Sequence, residues 1–155
     1  MPTNHFTATG IVFNPCGEIL MIKHKKLGVW LPPGGHVDDN ELPHDAALRE
    51  IFEETGVCAN IISASAGVGI GDDKHCKELP QPFVILLEDI EKTWQHNHID
   101  LVYICRAESD ITLAPCEAET DGIGWFCPHH IDKMDTFENV RKTINKAVKF
   151  WEELS

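Results

Sequence analysis

Apolar and polar positions in this 155-residue chain mostly alternate with a period of two, and switch to helical spacing in two places. Residues 6–13 and 18–24 read as strands rich in Ile, Val and Phe, joined by the turn Asn14-Pro15-Cys16-Gly17. Residues 27–31 lead through Pro32-Pro33 into Gly34-Gly35. Residues 58–70 hold a further strand, 71–78 a polar loop, and 81–91 a long apolar strand ending in acids. A turn is predicted at 94–98, an alternating strand at 99–106, a short connection at 112–116 and a last strand at 122–127. From about 137 to 154, Val140, Ile144, Ala147, Val148 and Trp151 recur at helical spacing, which predicts an amphipathic helix packed on the sheet.

The other helix follows the paired glycines. Pro43 suits a first helical turn, where its missing N–H goes unneeded, and Gly56 suits the left-handed position just past the end. At about 100° per residue, Leu48, Ile51 and Phe52 share a face expected to enter the core. Ala46, Ala47, Glu50, Glu53 and Glu54 are expected on the opposite face, with Arg49 to one side. Glu50, Glu53 and Glu54 stand at i, i+3 and i+4, where like charges cost roughly 0.2–0.5 kcal/mol per pair. They also crowd the negative end of the helix dipole. Two local rules broken together point to a functional site, and a hard divalent cation is the simplest compensation.

Composition narrows the classes. Hydrophobic content of 43% is that of an ordinary globular protein, and no apolar run approaches the roughly 20 residues that cross a bilayer. The opening Met-Pro-Thr-Asn-His lacks the features of a secretory signal, so a cytoplasmic protein of one domain over residues 1–155 is expected. A net charge of −12 argues against a nucleic-acid polymer as partner, while a small phosphorylated ligand held through cations remains compatible. The six cysteines include no Cys-x-x-Cys pair, so reduced and mostly buried thiols are expected. The densest basic cluster is Lys23-His24-Lys25-Lys26, read either as a solvated strand end or as an electrostatic lip for anionic substrate. Trp30 reads as a core aromatic or as a stacking surface near the site. Of nine histidines, His96 and His98 form an i, i+2 pair, but no set has a recognised zinc spacing, and loop or surface positions are expected.

The acidic helix belongs to a longer pattern. Gly35 is followed by Glu41, then by Arg49-Glu50-Ile51, then by Glu53-Glu54-Thr55-Gly56-Val57, and the spacing fills every fixed position of the Nudix box. The chain resembles the Nudix hydrolases. The resemblance implies an α/β fold with a mixed β-sheet sandwiched between the box helix and a C-terminal helix. It also implies that Glu50, Glu53 and Glu54, with the carbonyl of Gly34, bind Mg²⁺ or Mn²⁺. By the same resemblance Arg49 orients the carboxylates and Glu41 braces the loop. Catalysis falls to Glu50, Arg49 and Glu54, with Glu50 the favoured general base and Glu117, Glu119 and Asp121 the alternatives. Lys23, Lys25, Lys26, Trp30 and Gly35 are the substrate-side candidates, and Gly56 is structural.

The activity implied is cleavage of a nucleoside diphosphate linked to another moiety. Substrate markers of several Nudix subfamilies are missing: Asp72 and Asp73 stand where ADP-ribose enzymes carry proline, Lys74 and His75 where dinucleoside polyphosphate enzymes carry tyrosine. Pro80-Gln81-Pro82-Phe83 only echoes the pattern of the NADH enzymes, and the upstream motif of the coenzyme A enzymes is absent before Gly34. A nucleoside triphosphate, oxidised or non-standard, is the remaining lead. Two other classes compete: a nucleotide-binding sensor without catalysis, and an isoprenoid diphosphate isomerase, which has a degenerate box. A homodimer is a family-level expectation.

Overall fold

A computed structural model describes residues 1–62, 67–70, 72–108 and 120–154, with the side chains of Thr120 and Asp121 outside the described set. Among these residues eight strands form one mixed sheet: β1 (Thr3–Phe13), β2 (Ile19–His24), β3 (Trp30–Leu31), β4 (Gly34–His36), β5 (Ala59–Ile62), β6 (Val84–Asp89), β7 (His96–Ala107) and β8 (Thr120–Phe126). The helices are α1 (Pro43–Thr55), α2 (Pro128–Ile131) and α3 (Glu138–Glu153). Parallel pairing of β1 with β7 is the spine of the sheet, running from Thr3 beside His96 to Phe13 beside Arg106. The other strand pairs are antiparallel.

Alternation along the two spine strands sorts the core into two layers. Ala8 and Val12 of β1, with Tyr103, Cys105 and Ala107 of β7, face Ala46, Ala47 and Ile51 of α1. Ile11 and Phe13, with Val102 and Ile104, face Ile144 and Ala147 of α3. Phe13 stacks on Trp151 with ring centres 4.5 Å apart. The sheet is therefore sandwiched between the box helix and the C-terminal helix, as expected. No described helix is long and apolar enough to cross a membrane.

Several boundaries move. The stretch 94–98, expected as a turn, already enters β7 at His96, because pairing with β1 continues to Thr3 and Thr3 N–H donates to the Gln95 carbonyl at 2.8 Å. The strand expected over 81–91 shortens to β6, and that expected within 58–70 to β5. The connection expected at 112–116 lies outside the described residues. The cysteines differ too: Cys16, Cys58, Cys76 and Cys127 are exposed, at turns and element ends where the chain returns to solvent. Cys105 is buried between the layers, and burial pushes its thiol up to about 12.

The face of α1 is also corrected. Phe52, expected in the core, is 55% exposed, whereas Ala46, Ala47 and Glu54, expected outward, are buried. The helix rests on β1 and β4 along Ala47, Ile51 and Glu54. Small Ala side chains permit that close approach, and the acid turned inward meets a backbone donor instead of water. Helical spacing fixes which residues share a stripe; which stripe faces in depends on the partner surface.

Beyond the end of α3, the same sheet face turns polar. Asp100 is buried and accepts hydrogen bonds from Thr7 Oγ1 (3.0 Å) and Thr9 Oγ1 (2.9 Å). Glu88, paired with His98 across β6 and β7 and reached by Asn139 of α3, is pushed up to about 7 by burial and by the Asp100 charge. The native protein thus holds a proton on Glu88 that the unfolded chain releases above about pH 4.5. Stability from this group is full below that pH and is lost as pH rises through about 7. In chelator-treated protein, Glu88→Gln should remove a loss on the order of 2 kcal/mol across this window, read by urea unfolding at several pH values. Parallel wild-type and variant profiles would show that Glu88 titrates normally.

Candidate active site

The box helix begins and ends as its sequence dictates. Pro43 occupies the first turn, and Gly56 takes φ 75° at the C-terminus, its N–H donating to the Phe52 carbonyl at 2.8 Å. This stop leaves Glu50, Glu53 and Glu54 on the last turns, beside β4.

Arg49 is the hub of the acids. Its Nε donates to Glu41 Oε2 at 2.8 Å and its Nη2 to Glu41 Oε1 at 3.0 Å, a two-pronged pairing. Nη2 also donates to the His36 carbonyl at 2.9 Å, and Nη1 donates to Glu50 Oε1 at 3.0 Å and Glu53 Oε2 at 3.1 Å. One guanidinium therefore ties Glu41 of the loop and the His36 carbonyl of β4 to Glu50 and Glu53 of α1. The Arg49 hydrogen bond holds the Glu41 carboxyl below the usual range, and in turn Glu41 and Glu50 push the Arg49 pKa up. Glu41 further accepts the Asp38 N–H at 3.0 Å, closing the loop between β4 and α1.

The remaining acid points elsewhere. Glu54 is only 4% exposed, and its Oε1 accepts the Gly34 N–H at 2.8 Å. Gly35 gives Glu50 its place: an added Cβ would fall well inside contact distance of all three carboxylate atoms. Glu53 is the exposed member, at 56% for its side chain.

Glu50, Glu54, Gly34 and Gly35 line an open cleft of about 590 Å³, with Leu31 and Pro32 as the apolar wall. Lys25 and Lys26 line the same cleft, so it brings acidic and basic residues to one space. Besides the apolar Ile22, Leu31 and Pro32, three polar lining residues are not marked by the sequence as site residues: His24, His36 and Asp38. Their signal was position alone, inside the basic cluster or directly after the paired glycines. Lys23 and Trp30 do not line the cleft. Trp30 packs edge-on against Phe126 with ring centres 5.1 Å apart, and its carbonyl accepts Thr136 Oγ1. Of the alternative bases, Glu117 and Glu119 lie outside the described residues, and Asp121 contributes backbone to β8 with its side chain outside them.

The donor set fits a hard divalent cation. Carboxylate oxygens of Glu50 and Glu54 border one cleft, with a glycine keeping the space beside Glu50 clear. Among the described residues no three His, Cys, Asp or Glu side chains are gathered closely enough to hold an ion, and Arg49 donates to two of the box acids, Glu50 and Glu53.

Comparison with known proteins decides the family. The NUDIX domain model matches residues 3–147. This chain belongs to the Nudix family. Its similarity to an RNA pyrophosphohydrolase of Novosphingobium aromaticivorans is 29% identity over 138 residues, 81% of this chain and 84% of that protein. A putative 8-oxo-dGTP diphosphatase of Bacillus subtilis is 48% identical over 58 residues, and the match spans 37% of this chain and only 38% of that protein. Among solved structures, a NUDIX-family hydrolase from Clostridium perfringens superposes with a TM-score of 0.81 at 26% identity, covering 96% of this chain and 99% of the other. The reading of the chain as a Nudix-type hydrolase is thereby borne out, and members of the family generally use divalent metal ions.

Proposed function

We propose that this Nudix enzyme is a Mg²⁺- or Mn²⁺-dependent pyrophosphohydrolase of a small nucleotide, with an oxidised or non-standard nucleoside triphosphate as substrate. The observation that carries the proposal is the single cleft lined by both Glu50 and Glu54 and by Lys25 and Lys26. Acids alone would repel a polyphosphate and lysines alone would bind it without hydrolysis. Together they suit a cation-bridged phosphate chain.

In this reading Glu50, Glu53, Glu54 and the Gly34 carbonyl hold the ion. A divalent ion supplies neutralisation of phosphate charge and a lowered pKa for water. Lys25 and Lys26 bind the outer phosphate oxygens. Glu50 accepts the proton of the attacking water, Arg49 fixes the direction of the Glu50 and Glu53 carboxylates, and Glu41 fixes Arg49. Lys23 and Trp30 drop from the substrate contacts, because β2 and β3 turn them away from the cleft wall. The complete box favours hydrolysis over isoprenoid diphosphate isomerisation and over a sensor without catalysis. A homodimer remains the accompanying expectation from the family resemblance.

A phosphate- and pyrophosphate-release screen over nucleoside triphosphates, their oxidised forms, nucleotide sugars and a 5′-triphosphorylated oligoribonucleotide tests this, with and without Mg²⁺. Turnover of a triphosphate only with the ion is expected. Preference for the oligoribonucleotide, the chemistry named for the Novosphingobium relative, would replace the small-substrate reading. No turnover on any arm would favour the sensor. Replacement of Lys25 and Lys26 together by Ala should raise KM about tenfold and flatten its dependence on salt, since screened attraction at the lip disappears. An unchanged salt profile would return both lysines to the solvated surface.

A further inference from the structure

Four histidines meet on the sheet face opposite α1. Alternation sends His5 of β1 to that face together with Thr7 and Thr9, and the parallel register sets His98 of β7 beside His5. His96 lies on the same face two residues earlier, and β4 delivers His36 opposite Thr7. The imidazoles close a ring: centres are 5.6 Å apart for His5 and His36, 5.0 Å for His36 and His98, 5.7 Å for His98 and His96, and 5.3 Å for His96 and His5.

That spacing has a chemical meaning. Imidazoles bonded through nitrogen at about 2.0–2.1 Å to one tetrahedral ion hold their ring centres on the order of 5 Å apart. His96 carries an independent mark. Its Nε2 is buried with no hydrogen-bond partner, while its Nδ1 lies 3.5 Å from Glu91 Oε1. A carboxylate on one nitrogen and an open second nitrogen is the arrangement that orients a metal-ligating histidine. Burial and the three neighbouring rings depress His98 to about 4, so it is a neutral donor at physiological pH and a poor anion receptor.

We propose that His5, His36, His96 and His98 bind one borderline transition-metal ion of the Zn²⁺ type, separately from the carboxylate site of α1. Imidazole nitrogen suits such ions, whereas Mg²⁺ prefers the oxygen donors of the cleft. The rings stand edge to face and do not yet converge on one point, so loading turns the imidazoles about their side-chain torsions while the strands stay in register. His5 and His36 are exposed, which leaves the ion a route in from solvent. Occupancy ties β4 to β1 and β7, and β4 carries Gly34, Gly35 and the His36 carbonyl that receives Arg49. The ion would brace β4, and His36, which also lines the cleft, would border both sites.

Titration of the intact protein with Co²⁺ tests the site. One equivalent should develop the visible absorption of tetrahedral cobalt, one equivalent of Zn²⁺ should abolish it, and excess Mg²⁺ should leave it unchanged. His96→Gln and His5→Gln should each weaken Co²⁺ binding at least tenfold with circular dichroism intact, and Glu54→Gln should not change it. X-ray absorption of the Zn²⁺-loaded wild type needs no variant: a shell of three or four imidazole nitrogens supports the proposal. An oxygen-dominated shell, a cobalt spectrum lost in Glu54→Gln, or unweakened binding by the histidine variants would overturn it.

Discussion

Glu54→Gln is expected to lower Mg²⁺-dependent turnover by roughly 10²–10³-fold, the scale seen when one preorganised charge-stabilising group is removed from an active site. The fold should not suffer. Glu54 is buried and accepts the Gly34 N–H, and a Gln side-chain oxygen can accept the same bond. What disappears is a negative charge close to the Arg49-bound acids, so in chelator the variant should unfold at the same temperature as wild type or higher. Adding Mg²⁺ should raise the wild-type melting temperature, because an ion bound only by the native state stabilises it, and should move the variant far less. The two readouts separate a metal-holding acid from a merely structural one. Undiminished turnover together with an unchanged magnesium shift would remove Glu54 from the site.

The second large effect is on stability. Arg49→Lys should destabilise the protein by about 1–3 kcal/mol, below the roughly 3–5 kcal/mol of a fully buried broken pair because the side chain is 26% exposed. Lysine keeps the charge but loses the fork. It cannot reach both oxygens of Glu41, the His36 carbonyl, Glu50 and Glu53 at once, as Arg49 does. Three acids are then left with less compensation, so Mg²⁺ should recover part of the lost stability in the variant, and more than it adds to wild type. Urea unfolding with and without the ion measures both quantities. Equal midpoints for variant and wild type would mean that the network contributes little beyond surface ion pairing.

Much of this arrangement was legible from residues near one another in sequence. The box helix could be bounded because Pro43 and Gly56 act through their own backbone conformations. The convergence of Glu50, Glu53 and Glu54 follows from helical spacing, and the hairpin around Asn14 from turn chemistry, with Asn14 Oδ1 accepting the Cys16 and Glu18 N–H groups. Local patterns and structure part where the deciding partner is distant in the chain. Helical spacing predicts Phe52 inward and Glu54 outward, the reverse of the structure, because it carries no information about where β4 lies. Local sequence predicts a turn at His96, whereas pairing with Thr3, more than ninety residues earlier, extends the strand to it. The four histidines had no recognisable spacing because three strands supply them, and register alone gathers them.

The sequence by itself determined the family, the acidic helix with its two ends, and the order of the longer strands and of α1 and α3, though not the short β3, β4 and α2. These depend on dihedral preferences and periodicities that act over a few residues. Only the tertiary structure decided which acid is buried, which lysines share a cleft with it, and that His5, His36, His96 and His98 form one ring. Those outcomes depend on strand register and on the seating of α1 against the sheet. Both are set by packing and hydrogen bonding between residues far apart in the chain.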